Sequence, residues 1–186
     1  GCVIGQKCDV IDYATGKSIC AVDGTALPYT PCLQPGLPCI AGSACVGSVC
    51  KPYCDTLADC PGTNRQCIAV QYNDQGVAKQ VPGMFTCTSG CDPIAPGAIC
   101  AASLTCAFVQ PSGPATDCFP AGSAVGPGKC TATNASVCAP GHLCVNNAGS
   151  YDCLKWCRMS NPNDCQLGEF CQGLQSTPTI NGVQYG

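Results

Sequence analysis

The chain has 186 residues, among them 22 cysteines, 22 glycines and 16 prolines, with 10% charged residues and a net charge of −3. Cysteine at this density marks a disulfide scaffold. The thinly scattered basic residues exclude a nucleic-acid footprint, and no apolar run approaches the ~20 residues of a membrane-spanning helix.

So few bulky side chains cannot offset the roughly 1–2 kcal/mol of backbone entropy lost per ordered residue. Disulfides contribute roughly 2–4 kcal/mol each, so the fold is expected to be stapled rather than driven by an apolar core. Such staples persist in oxidising compartments, which places the chain outside the cell or on its surface. Metal is the rival use of cysteine, but zinc and cluster sites favour Cys-x-Cys or Cys-x2-Cys pairs. The tightest spacings here are Cys50–Cys54, Cys87–Cys91 and Cys153–Cys157, and His142 is the one histidine. No metal or cofactor is expected.

From the first residue onward the cysteines describe a tandem repeat. A shift of 98 residues lays Cys2, Cys8, Cys20 and Cys32 on Cys100, Cys106, Cys118 and Cys130. With small drifts, Cys39, Cys45, Cys50, Cys54, Cys60 and Cys67 then match Cys138, Cys144, Cys153, Cys157, Cys165 and Cys171. Repeat 1 spans 1–99: a sparse segment 1–31, a dense block 32–67 and a hairpin linker 68–99. Repeat 2 spans 100–186: a sparse segment 100–129, a dense block 130–171 and a truncated hairpin 172–186. The likeness extends past cysteine, since Gly24-Thr25-Ala26-Leu27 falls on Gly122-Ser123-Ala124-Val125.

The longest cysteine-free stretch, Ile68 to Thr86, carries the turn signal Asn73-Asp74-Gln75-Gly76 between β-prone flanks and predicts a hairpin. Ile180-Asn181-Gly182-Val183 repeats that texture near the other end. No segment shows a helical period. The fold class expected is small and disulfide-rich: short β-hairpins and irregular loops in tandem repeats, with little or no helix.

By the repeat, a full unit holds twelve cysteines, counting Cys87 and Cys91, whose counterparts do not occur before Gly186. The spacing predicts either a two-repeat window of a longer array or a subunit whose ends a neighbour completes. Should Cys87 and Cys91 bond to opposite flanking blocks, one unpaired thiol is left near each end. Twelve cysteines allow roughly ten thousand pairings, so all 22 are assigned to disulfides with partners left open.

Two resemblances follow from these residues. Cys144-Val145-Asn146-Asn147-Ala148-Gly149-Ser150-Tyr151-Asp152-Cys153 resembles the C-x-N-x-x-G-S-Y-x-C segment of EGF-like domains, but Leu154-Lys155-Trp156 stand where that family continues C-x-C. The run Cys39 to Cys67 is similar in spacing to cysteine-rich repeats of bacterial surface proteins and to dickkopf-type modules. Both resemblances imply an extracellular, disulfide-knotted, non-catalytic module, and neither transfers a functional residue.

Catalysis is not expected. The repeat places Ser43 at the position of His142, and a nucleophilic cysteine would need a free, activated thiolate beside a base. Asp59 and Asp164 recur at one position and read as turn caps. Tyr53 and Trp156, each just before a cysteine, read as rings packed over a disulfide. Asn134-Ala135-Ser136 makes Asn134 the candidate glycosylation site. Thr30-Pro31, Pro111 to Thr116 and Ser176 to Thr179 are contexts compatible with O-glycans.

The function expected is a structural, non-catalytic subunit of an extracellular rod or fibre that self-associates head to tail, with glycans compatible with its surface. The alternative is a cell-surface adhesion module or a protease-inhibitor-type module, with Ile68 to Thr86 as its presented loop.

Overall fold

The computed structural model of the chain describes residues 2–12, 15–33, 38–109, 115–131, 135–174 and 178–186. It separates into two compact units, Gly1–Ser89 and Gly90–Gly186. The described residues form six two-stranded antiparallel hairpins and four single 3-10 turns of three residues each. The expected small, disulfide-rich hairpin fold is the fold found.

In unit 1 the strands are β1 (Gln6–Asp12) with β2 (Lys17–Val22), β3 (Ser43–Val46) with β4 (Val49–Pro52), and β5 (Cys67–Asp74) with β6 (Val77–Cys87). Unit 2 follows the same order: β7 (Leu104–Phe108) with β8 (Thr116–Pro120), β9 (His142–Asn147) with β10 (Ser150–Lys155), and β11 (Thr179–Ile180) with β12 (Val183–Gln184). The β5–β6 hairpin turns at Gln75-Gly76, both with positive φ. Asn73 Oδ1 accepts the Gly76 N–H at 2.6 Å, as the Asn-Asp-Gln-Gly signal demands.

The disulfides reveal a smaller module inside the hundred-residue repeat. Three consecutive sets of four cysteines pair first to third and second to fourth. They are Cys32–Cys45 with Cys39–Cys50, Cys54–Cys67 with Cys60–Cys87, and Cys91–Cys106 with Cys100–Cys118. A fourth set, Cys130–Cys144 with Cys138–Cys153, repeats the first of these in unit 2. The third and fourth cysteines face each other across a hairpin, as at Cys45↔Cys50, Cys67↔Cys87, Cys106↔Cys118 and Cys144↔Cys153. Each hairpin is thus bound to the chain before it by two neighbouring bonds. Sulfurs from both bonds of a set lie within 4.8 Å of one another in all four sets.

The approach to each hairpin is also constant. Five or six residues separate the second and third cysteines in every set. In Cys2–Cys8, Cys39–Cys45, Cys138–Cys144 and Cys165–Cys171 the third of those residues is Gly5, Gly42, Gly141 or Gly168, all with positive φ. The N–H after each glycine donates back three residues: Gln6 to Val3, Ser43 to Ile40, His142 to Ala139 and Glu169 to Gln166. A turn with positive φ at its third position favours glycine, which lacks the Cβ that would clash.

Buried cysteines form much of the interior, including the clusters of Cys32, Cys39, Cys45 and Cys50 with Ala26, and of Cys54, Cys60 and Cys87. Among the described residues, apolar clusters supplement them: Val70, Val81 and Met84 with Tyr53 in unit 1, and Trp156, Ile180 and Tyr185 with Ile94 and Phe108 in unit 2. Trp156 is buried against Phe108, with ring centroids 5.4 Å apart. Its partners are therefore aromatic and aliphatic side chains.

Candidate functional site

Twenty of the 22 cysteines are bonded; Cys8 and Cys165 have no disulfide partner. The two remaining sets explain both. In unit 1, Cys2–Cys20 matches a second-to-fourth bond, and Cys8 holds the third position of a set that has no first cysteine in that unit. In unit 2, Cys157–Cys171 matches a first-to-third bond, and Cys165 holds the second position of a set that has no fourth cysteine in that unit. The segment that completes both kinds of set elsewhere is Cys87-Thr88-Ser89-Gly90-Cys91. Cys87 turns back to Cys60, the counterpart of Cys165, and Cys91 goes forward to Cys106, the counterpart of Cys8.

Cys8 is exposed on β1, opposite Cys20. Several interactions hold that strand in place. The Tyr53 hydroxyl donates to the Cys8 carbonyl. On either side, the buried Lys7 and Asp9 pair at 3.4 Å, with Lys7 Nζ donating to the Ser43 carbonyl at 2.7 Å. Asp9 Oδ1 accepts the Cys45 N–H at 3.0 Å, so β1 is tied to β3 at two points. Beside the thiol opens a cleft of about 270 Å³, lined by Cys8, Ser18, Tyr53, Asp55, Met84 and Phe85 among others.

Cys165 is half-buried at the end of the 3-10 turn Pro162–Asp164. Asp164 organises that turn: Arg158 grips it through Nε at 2.7 Å and Nη2 at 2.6 Å, and the Arg158 N–H adds a bond at 2.9 Å. The guanidinium holds the Asp164 carboxyl below its ordinary pKa, with the backbone bond adding to the effect. Asp59 does the same work in unit 1, accepting the Asp55 and Thr56 N–H groups, whose bonds lower its pKa. Both recurrent aspartates are therefore turn caps. After Cys165, Leu167 and Phe170 are exposed.

His142 Nδ1 lies 3.1 Å from the Pro140 carbonyl, beside the turn that its own N–H closes. The four groups of three clustered sulfurs consist entirely of disulfide sulfurs, which offer no thiolate to a cation. Asn134 lies outside the described residues. Sequence reasoning lacked the pairing within each set; the recurrent Cys-x2-Gly-x2-Cys spacing marks the second and third cysteines of a set but not their partners. Comparison with family models, with curated proteins and with solved structures returned no match.

Proposed function

We propose that this chain is a structural, non-catalytic subunit of an extracellular rod or fibre built from disulfide-stapled tandem repeats. The observation that carries the reading is the four-cysteine hairpin set recurring along the chain with one pairing rule, interrupted only at Cys8 and Cys165. Repeats that contact mainly their sequence neighbours build extended, quasi-one-dimensional objects. A contact whose two halves differ runs head to tail, and it builds an open filament where its rotation does not close a ring. Ten disulfides require oxidising conditions, which agrees with assembly outside the cell.

The adhesion or inhibitor reading would use Ile68 to Thr86 as a presented loop. That stretch is paired strand to strand over most of its length, so it is a regular hairpin and not an open presented loop. This favours the structural role. The test is negative-stain electron microscopy and non-reducing gel electrophoresis of the native material. Filaments that shorten on mild reduction are expected; a monomer at all concentrations, or stoichiometric inhibition of a serine protease, would overturn the proposal.

A further inference from the structure

The cleft beside Cys8 has a filled counterpart in the same chain. In unit 2, Cys91 bonds Cys106, the counterpart of Cys8. The Gly90 N–H donates to the Thr116 carbonyl at 3.0 Å, and Thr116 Oγ1 donates to the Cys91 carbonyl at 2.6 Å; Thr116 corresponds to Ser18. Ile94 packs into the cluster of Trp156 and Tyr185, which correspond to Tyr53 and Met84. The last correspondence follows from matching strand pairings, since Cys157 N–H donates to Gly186 as Cys54 N–H donates to Phe85. A Cβ at Gly141 would meet the Pro93 carbonyl at 3.7 Å, whereas around the equivalent Gly42 nothing lies within 4 Å. Cys8, Ser18, Tyr53 and Met84 all line the open cleft.

We propose that this cleft is the docking seat for an extended Gly-Cys-x-Pro-aliphatic segment of another unit of the same repeat, whose cysteine bonds Cys8. The inference rests on the end-to-end reading above and names the contact that joins the units. One position sets specificity. In unit 2, Asp92 accepts the Ile94 N–H at 3.0 Å and lies near enough to Tyr185 and Arg158 to interact electrostatically with both. In unit 1 the corresponding groups are Met84 and Asp55, so an aspartate there would face a carboxylate instead of a guanidinium. The segment that fits Cys8 therefore carries a neutral or basic residue where Asp92 stands.

The bond forms by thiol–disulfide exchange. The Cys8 thiolate attacks the donor sulfur of a mixed disulfide between the donor cysteine and a small thiol. The Cys–S–S–Cys bond forms, the donor–S–S–R bond breaks, and the small thiol leaves as thiolate with the electron pair. An oxidised low-molecular-weight thiol, which makes the mixed disulfide, is the oxidant.

The experiment treats the folded full-length chain with the peptide Thr-Ser-Gly-Cys-Lys-Pro-Ile-Ala, activated as a thiopyridyl mixed disulfide. Peptide mapping reads the rate and site. Labelling at Cys8 is expected about tenfold or more faster than with a scrambled peptide, because docking raises the local concentration of the reacting pair. The version with Asp in place of Lys should be slower on the native chain, and the exposed-site variant Asp55→Arg should reverse that order. Equal labelling by scrambled and ordered peptides, equal labelling of Cys165, or a monomeric chain with no alkylatable thiol overturns the seat. Filaments in which Cys8 still alkylates overturn the seat but leave the array standing. Selective labelling on a chain that never assembles does the converse.

Discussion

Removing Cys39–Cys50 by Cys39→Ala and Cys50→Ala asks whether this fold is held by its staples. The bond closes a separation of 11 residues, for which chain entropy gives about 2.8 kcal/mol. That figure is an upper value, because residues 39 to 45 also lie inside the Cys32–Cys45 loop. Both side chains are fully buried, and the volume that alanine leaves unfilled adds about 1 kcal/mol. The expected loss is therefore about 2–4 kcal/mol, read by guanidinium titration with the other disulfides intact. Amide exchange should localise it to the N–H groups of Cys50, Tyr29 and Ile40, which bond Thr30, Cys50 and Ala26. The matching pair Cys138→Ala and Cys153→Ala, with a separation of 15, should cost about the same, near 3 kcal/mol from chain entropy. A loss below about 1 kcal/mol in both units would refute the stapling argument of loop entropy and return the stability to the small apolar clusters.

Three further outcomes are expected. Lys7→Met leaves the buried Asp9 carboxylate without its ammonium partner and should cost about 3 kcal/mol, most of it recovered in Lys7→Met with Asp9→Asn; equal stabilities of the single and double variants in denaturant titration would contradict the ion-pair account. Gly24→Ala and Gly122→Ala would drive a Cβ to 1.9 Å from the Pro38 carbonyl oxygen and 2.2 Å from that of Val137. Each should destabilise by about 1–3 kcal/mol through forced backbone shifts, and an unchanged midpoint would show that these loops yield freely. Asp59, Asp152 and Asp164 have folded pKa values below their ordinary 3.8, through hydrogen bonds from Thr56, Gly128 and Arg158 respectively. A depressed carboxylate contributes stability that is complete above its unfolded pKa and disappears as pH falls through the folded one. Denaturation midpoints should hold steady above roughly pH 5 and decline below roughly pH 4, less steeply in Asp164→Asn; a midpoint independent of pH in this range would contradict it.

Cysteine count and spacing alone determined the class of this protein. Stapling over core, the hundred-residue period, the hairpin at Asn73 to Gly76 and the turn role of Asp59 and Asp164 all follow from local chemistry. An Asn-Gly-type turn or a cap needs only its immediate neighbours to form. The division of each repeat into four-cysteine sets was not legible, because the gap before the fourth cysteine varies from Cys45–Cys50 to Cys67–Cys87 while the facing geometry stays fixed. Hairpin length is absorbed in solvent, so spacing records it but pairing does not depend on it. The burial of Trp156 among Phe108 and Tyr185, and the cleft beside Cys8, were likewise invisible. Both are made by segments far apart in sequence. Hydrogen bonds such as Lys7 to Ser43 and Cys45 to Asp9, and the packing of Phe108 and Tyr185 on Trp156, bring them together, and one-dimensional spacing carries no record of those contacts.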